Sequence, residues 1–162
     1  MDRTMKAGED KDALLIRAVR ASDVAQVIAL DQRITGLAKA AYWEQAYERY
    51  GRTRPNERFF LVAVPAGKKA ERRVLGFIIG EIRAWEFGSG PCGWVFALSV
   101  DPDARLHGVG EQLFLAMSEK FKQAGMTKMR TMVARDNRLH SLFFRGEGMM
   151  AGPYIQLEKD LG

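Results

Sequence analysis

The sequence is poor in the side chains that most often hold metals or staple small folds. Its 162 residues include one cysteine, Cys92, and two histidines, His107 and His140. One thiol excludes a disulfide framework and a cysteine-rich zinc site. Two imidazoles are too few for a histidine-based metal centre, so no metal is expected. No apolar run reaches the roughly 18 residues that a membrane span needs, which argues against a membrane. The opening MDRTMKAGEDKDALL has no apolar stretch before a cleavage site, so it does not read as a secretion signal, and the cytoplasm is the expected compartment. Charge of one sign is scarce as well: 25 Lys and Arg against 20 Asp and Glu leave +5. The acidic residues are interspersed and no basic stripe carries aromatics. That argues against nucleic acid and suits a small anionic ligand.

What is present is ordinary globular material, 47% hydrophobic and 28% charged. A chain of this length can bury a core without staples. Residues 1–12 are polar and aperiodic and read as a flexible lead-in; 13–162 read as a single domain, with no linker or repeat dividing it.

Periodicity predicts the elements. Residues 13–20 form a strand, Ser22 an N-cap, and Val24, Val27, Ile28, Leu30 and Ile34 a helical stripe. A second helix covers 38–50, and a turn-rich basic link follows at 51–58. Apolar strands are expected at 59–64, 74–85 and 94–100, with a basic hairpin tip at 65–73 and a glycine-rich turn at 86–93. Val109, Leu113, Met117 and Phe121 recur at steps of four on one helix face, and Gly125 stops that helix. A strand at 128–134, a helix at 137–145 and a last strand at 154–161 complete the chain. Hairpins in the middle and a strand–helix–strand unit near the end predict a mixed sheet with helices on both faces, an α/β (mixed α+β) fold.

The segment from Ser99 to Glu111 carries the most chemistry. An apolar strand runs into Asp101-Pro102, then Arg105-Leu106-His107-Gly108-Val109-Gly110, then an amphipathic helix. A helix N-terminus offers unpaired N–H groups and partial positive charge to an anion. Glycines let the backbone approach a phosphate, and Arg105 adds a guanidinium fork. The plainer reading is an ordinary tight turn. Two nucleotide motifs fail: Gly110 is followed by Glu111-Gln112 where a P-loop needs Lys and Ser or Thr, and Leu113 stands where a Rossmann fingerprint needs glycine.

Arg105-x-x-Gly108-x-Gly110, placed after Leu98-Ser99-Val100-Asp101-Pro102, resembles the coenzyme A pyrophosphate motif [QR]-x-x-G-x-[GA] of the GNAT superfamily of acyl-CoA N-acyltransferases. Downstream, Asp136-Asn137, Phe143-Phe144 and Gly148-Met149 resemble that family's N-x(6)-[FY]-[YF]-x(3)-G-F, and the element order agrees from about Ala13 to Leu161. The resemblance implies the acyl-CoA N-acyltransferase fold: a roughly seven-stranded mixed sheet, splayed between strands 4 and 5, with about four helices on both faces. It implies acetyl-CoA as co-substrate, with the pantetheine arm in the splay along Leu98, Ser99 and Val100. The pyrophosphate would lie on Arg105, Leu106, His107, Gly108, Val109 and Gly110. Asn137 would reach the pantetheine from the other side, and Phe144 would pack near the thioester sulfur. Two departures matter. Many members carry a tyrosine, thought to protonate the leaving thiolate, where this chain has Phe144. Some carry a glutamate base early in strand 4, where this chain has Trp94.

With those groups missing, Glu81, inside an apolar strand, is the candidate base, and His140, one helical turn before Phe144, a second candidate catalytic residue. Their plainer readings are a solvent-side strand residue and a surface histidine. Cys92 has no activating neighbour in sequence and reads as incidental. Tyr42, Trp43, Tyr47 and Tyr50 read either as core or as a lid over an acceptor. The expected reaction is direct attack of a primary amine on the thioester of acetyl-CoA. The acceptor would be a peptide or protein amine, with a small-molecule amine or a non-catalytic acyl-CoA-binding module as alternatives. The sequence leaves a homodimer open.

Overall fold

A computed structural model describes residues 13–67 and 73–162; the lead-in at 1–12 and most of the basic hairpin tip, 68–72, lie outside the described residues. The chain forms two compact units that divide after Met132. The first holds β1 (Leu14–Ala18), α1 (Val24–Thr35), α2 (Ala40–Ala46), β2 (Arg58–Pro65), β3 (Gly76–Arg83), β4 (Cys92–Val100), α3 (Val109–Gln123) and β5 (Met129–Thr131). The second holds α4 (Arg138–Gly146).

The five strands lie in the order β1-β2-β3-β4-β5. The first four pair antiparallel, and β5 joins β4 in parallel. β2 and β3 read as unbroken apolar runs because both faces are covered, the condition under which alternation disappears. On one face Phe60, Val62, Val64, Phe77 and Ile79 pack with Val27 and Leu30 of α1 and Trp43 and Ala46 of α2. On the other, Phe59, Leu61, Ala63, Ile78 and Val95 pack with Val109, Leu113, Met117 and Phe121 of α3. Gly93 marks the closest approach of that helix: a Cβ there would stand 2.4 Å from the Phe121 ring. Asp31, buried in α1, joins the first two helices by accepting from Trp43 Nε1 at 3.0 Å and pairing with Lys39 Nζ at 2.9 Å.

Four expectations need correction. The described residues form five strands, not seven. No strand forms at 154–161; Ile155, Leu157 and Leu161 there are more than four-fifths exposed, and the segment has no ladder partner among the described residues, which leaves its backbone groups to water. Ser22 caps nothing, and no side chain caps α1; Asp23 at its N-terminus instead turns back to the preceding chain, accepting from the Arg20 N–H at 2.7 Å and from both Arg17 Nη atoms. The second helix ends early as an α-helix and continues as a single π turn, Tyr47–Gly51.

β4 is irregular at its centre. Ile79 pairs with Ala97 and Gly80 with Val95, so Phe96 is an extra residue, a β-bulge. Val95 faces α3. Phe96 meets the Tyr50 ring at 4.8 Å, and Ala97 packs on the core under α1 and α2, so two consecutive side chains share one face.

Candidate active site

β5 accompanies β4 for three residues only, Gly93 to Val95. There the Thr131 hydroxyl donates to the Val95 carbonyl at 2.8 Å and ends the ladder. Among the described residues no strand pairs with Phe96 to Val100 on that side. The Asp101 N–H donates to the Leu75 carbonyl at 2.7 Å, toward β3. By strand alternation Ser99 also bonds toward β3, opposite Phe77, while the N–H and C=O groups of Leu98 and Val100 face the open side. This is the splay between the fourth and fifth strands, with its backbone groups offered to a ligand.

The opening leads to a helix terminus. A 3-10 turn, Pro102–His107, carries the chain from β4 to Gly108, whose φ of 71° only glycine adopts freely, and α3 begins at Val109. No side chain caps α3. Its first intrahelical bond runs from Gln112 N–H to the Gly108 carbonyl at 3.0 Å, so the N–H groups of Val109, Gly110 and Glu111 have no acceptor within the helix. A Cβ on Gly108 would meet nothing within 4 Å, so there the glycine serves backbone conformation and leaves open space before the N–H groups. Arg105 and His107 are exposed beside it; the Val109 side chain is fully buried, leaving its backbone.

Asp101, absent from the sequence-based candidates, holds this loop in place. Its carboxylate is 1% exposed and accepts from Asp103 N–H at 2.9 Å, from Arg33 of α1 at 3.1 and 3.3 Å, and from Arg73 before β3. Burial alone would raise its pKa; the hydrogen bonds from Arg73, Asp103 and Arg33 outweigh burial and hold the carboxyl below its usual value. The sequence carried one signal for this: an aspartate directly before proline at a strand end is a capping pattern.

On the α1/α2 face, Glu81 stands opposite Trp94 in the β3–β4 ladder. Its side chain is 13% exposed, 3.6 Å from Arg58 Nε and 3.4 Å from Arg83 Nε. It is neither a plain surface residue nor a core one. Tyr50 lies among the same groups, with the Arg49 and Arg58 guanidiniums 5.5 and 5.8 Å from its ring centre. An open cavity of about 580 Å³ adjoins them, lined by Ala41, Glu44, Gln45, Glu48, Arg49, Thr53 and Arg58.

In the second unit, Asn137 accepts from His140 N–H at 3.1 Å and caps α4, which leaves its amide nitrogen as the group available to a ligand. His140 stacks edge-on to Phe144 at 6.1 Å, and Phe144 is buried. The buried Cys92 has Arg130 Nη1 at 3.6 Å from its sulfur. Among the described residues no three His, Cys, Asp or Glu side chains come together, and no helix is long and apolar enough to cross a membrane.

The sheet is thus parted along one strand, with an uncapped helix at the end of the gap. The chain belongs to the acetyltransferase (GNAT) family, which it matches over residues 24–145. Acetyl-CoA is the co-substrate of that family. The chain is 30% identical over 139 residues to a mycothiol acetyltransferase of Saccharomonospora viridis; the match covers 83% of this chain and 40% of that relative, so the chain spans well under half of its length. Among solved structures it resembles the aminoglycoside 6'-N-acetyltransferase AAC(6')-Ih of Acinetobacter baumannii (TM-score 0.74, 16% identity, 93% and 100% of the two chains). It also resembles AAC(6')-Iy, solved with a CoA-linked bisubstrate analogue (0.76, 16%, 91% and 98%). A third is the glucosamine-6-phosphate N-acetyltransferase of Arabidopsis thaliana (0.70, 18%, 93% and 99%).

Proposed function

We propose that the chain transfers the acetyl group of acetyl-CoA to a primary amine by direct attack of the amine on the thioester. One observation carries this reading: the open half of β4 ends at the uncapped N-terminus of α3. The residues present suit the donor. Leu98 and Val100 offer amide groups to the pantetheine arm, and Arg105 with the N–H groups at 109–111 suits its diphosphate.

The acceptor enters from the α1/α2 face. Glu81 accepts the proton the amine must shed; Arg58 and Arg83 hold its carboxylate in place. His140 is the second candidate for proton transfer. The acceptor we favour is a small-molecule amine, because the relatives' names are those of small-molecule acetyltransferases and the 580 Å³ cavity is of small-molecule size. A peptide or protein amine is the second reading, favoured by the openness of this groove and by the Glu44, Glu48, Arg49 and Arg58 side chains that line it.

The test is a screen of small amines and peptides for free-thiol release from acetyl-CoA, beside calorimetric titration with coenzyme A. Micromolar binding together with turnover supports the reading. Binding without turnover on any amine would instead support a non-catalytic acyl-CoA module, and no binding would place the site elsewhere.

A further inference from the structure

Two irregularities meet at one ring contact. β4 carries an extra residue at Phe96, and the chain after α2 is wound as a π turn from Tyr47 to Gly51. Single π turns and β-bulges re-aim side chains and recur at functional sites. Here they bring the Tyr50 ring to 4.8 Å from Phe96.

The position has chemical meaning. The open edge of β4 runs from Val100 to Phe96, about 13 Å of strand, and closes at Val95 under Thr131. If the coenzyme enters at α3 and lies along this edge, its thioester end comes to rest near Phe96. When the acetyl group leaves, sulfur carries the electron pair away as a thiolate and needs a proton, most so near neutral pH. Tyr50 is half-buried there, and its hydroxyl makes no hydrogen bond to any described residue. A half-buried phenol whose proton is held by no neighbouring acceptor among the described residues has that proton free for transfer.

We propose that Tyr50 is the proton donor to the departing coenzyme A thiolate, supplied from the acceptor-side helix to the bulge in β4. This rests on the reading of the open edge as the coenzyme site. Protons and electrons balance within the cluster. The N–C bond forms as the amine attacks, and the C–S bond breaks with its electron pair on sulfur. The Tyr50 O–H proton passes to sulfur. The proton shed by nitrogen passes to Glu81, then to the Tyr50 oxygen, restoring both groups.

The surroundings fit a donor. Burial, with the Glu81 charge beside it, pushes the Tyr50 phenol up from its ordinary value. Arg49 of its own segment and Arg58 of β2 pull the other way, and Tyr42 of α2 adds to the rise. The balance keeps the phenol protonated across the working range.

The experiment compares wild type, Tyr50→Phe and Tyr50→Leu with acetyl-CoA and whichever amine releases thiol fastest in the screen. Phe keeps the ring on Phe96 and under the two guanidiniums and removes only the hydroxyl; Leu removes the ring. The expected result is a kcat lower by about 10²-fold in Tyr50→Phe, with KM for acetyl-CoA and melting temperature unchanged. Wild-type kcat should also fall above pH ~10 as the phenol ionises, and Tyr50→Phe should lack that limb. A Tyr50→Phe enzyme at wild-type kcat beside an impaired Tyr50→Leu enzyme would make the ring mere packing and overturn the proposal. So would a loss confined to KM for acetyl-CoA. A wild type that binds coenzyme A but is inert toward every amine would overturn this proposal alone, and one that does not bind coenzyme A would overturn the coenzyme-site reading with it; an active wild type separates the two.

Discussion

At the scale of single residues, the site depends on charges that face inward. Arg33 is half-exposed, yet its guanidinium spans from α1 to Asp101 and Asp103 at the head of the loop before α3. Arg33→Ala should raise the dissociation constant for coenzyme A about tenfold through a loosened loop, with kcat at saturating donor and the acceptor KM unchanged. Asp101→Asn should show the same split and also cost about 1–2 kcal/mol of stability. That is less than for a fully buried pair, because both guanidiniums are half in water. Calorimetry and kinetics on the two single variants and the double variant check this; additive effects would mean the pair does not act as a unit. Glu81→Gln should lower kcat by about 10²-fold and leave coenzyme affinity alone, read by the same kinetics. The sequence pointed to Glu81 through its oddity, a carboxylate inside an apolar strand. It could not point to Arg33 or Arg73, since an arginine's reach across the fold leaves no local trace.

Among the elements, those with strong periodic patterns were legible and those made by pairing were not. α3 stands where its four-residue apolar step predicts, and β2 and β3 follow their unbroken apolar runs because both faces are covered. The bulge at Phe96 and the π turn at Tyr47–Gly51 were hidden, because each is a matter of register between segments far apart in sequence. The tail at 154–161 has strand-like composition but finds no ladder. At the α3 terminus, Gly108→Val would force a β-branched residue to φ 71°, a strain of about 1–3 kcal/mol. The loop should relax to avoid it, and coenzyme A titration should show affinity lowered at least about tenfold. Unchanged affinity would mean the anion is not held there.

For the molecule as a whole, two buried carboxylates give stability a dependence on acid. Asp23 is held below its ordinary value: burial acts to raise it, and hydrogen bonds from Arg17 and the Arg20 N–H outweigh that. Asp101 behaves alike. A carboxyl depressed in the folded state contributes stability that is complete above its unfolded pKa of about 3.9 and is lost as pH falls through the folded value. Melting temperature should therefore hold steady down to about pH 5 and fall steeply below about pH 4, with a shallower fall in Asp101→Asn. A scan from pH 7 to pH 2 decides it; equal slopes in variant and wild type would remove Asp101 from the account.

The extra residue in β4 also says something about chain length. Remove Phe96 and Val95 is joined to Ala97, facing Gly80 and Ile79, which are already consecutive. The ladder becomes regular, and every remaining side chain keeps its face, Val95 toward α3 and Ala97 toward α1 and α2. On this register the fold should tolerate the loss of Phe96. A chain shortened by Phe96 should melt within a few degrees of the full one, the lost ring contact being worth only about 0.5–1.5 kcal/mol. It should also lose turnover, because the strand edge no longer bends where Tyr50 reaches it. A shorter strand that folds as well and does nothing would mark the bulge as an insertion kept for chemistry alone.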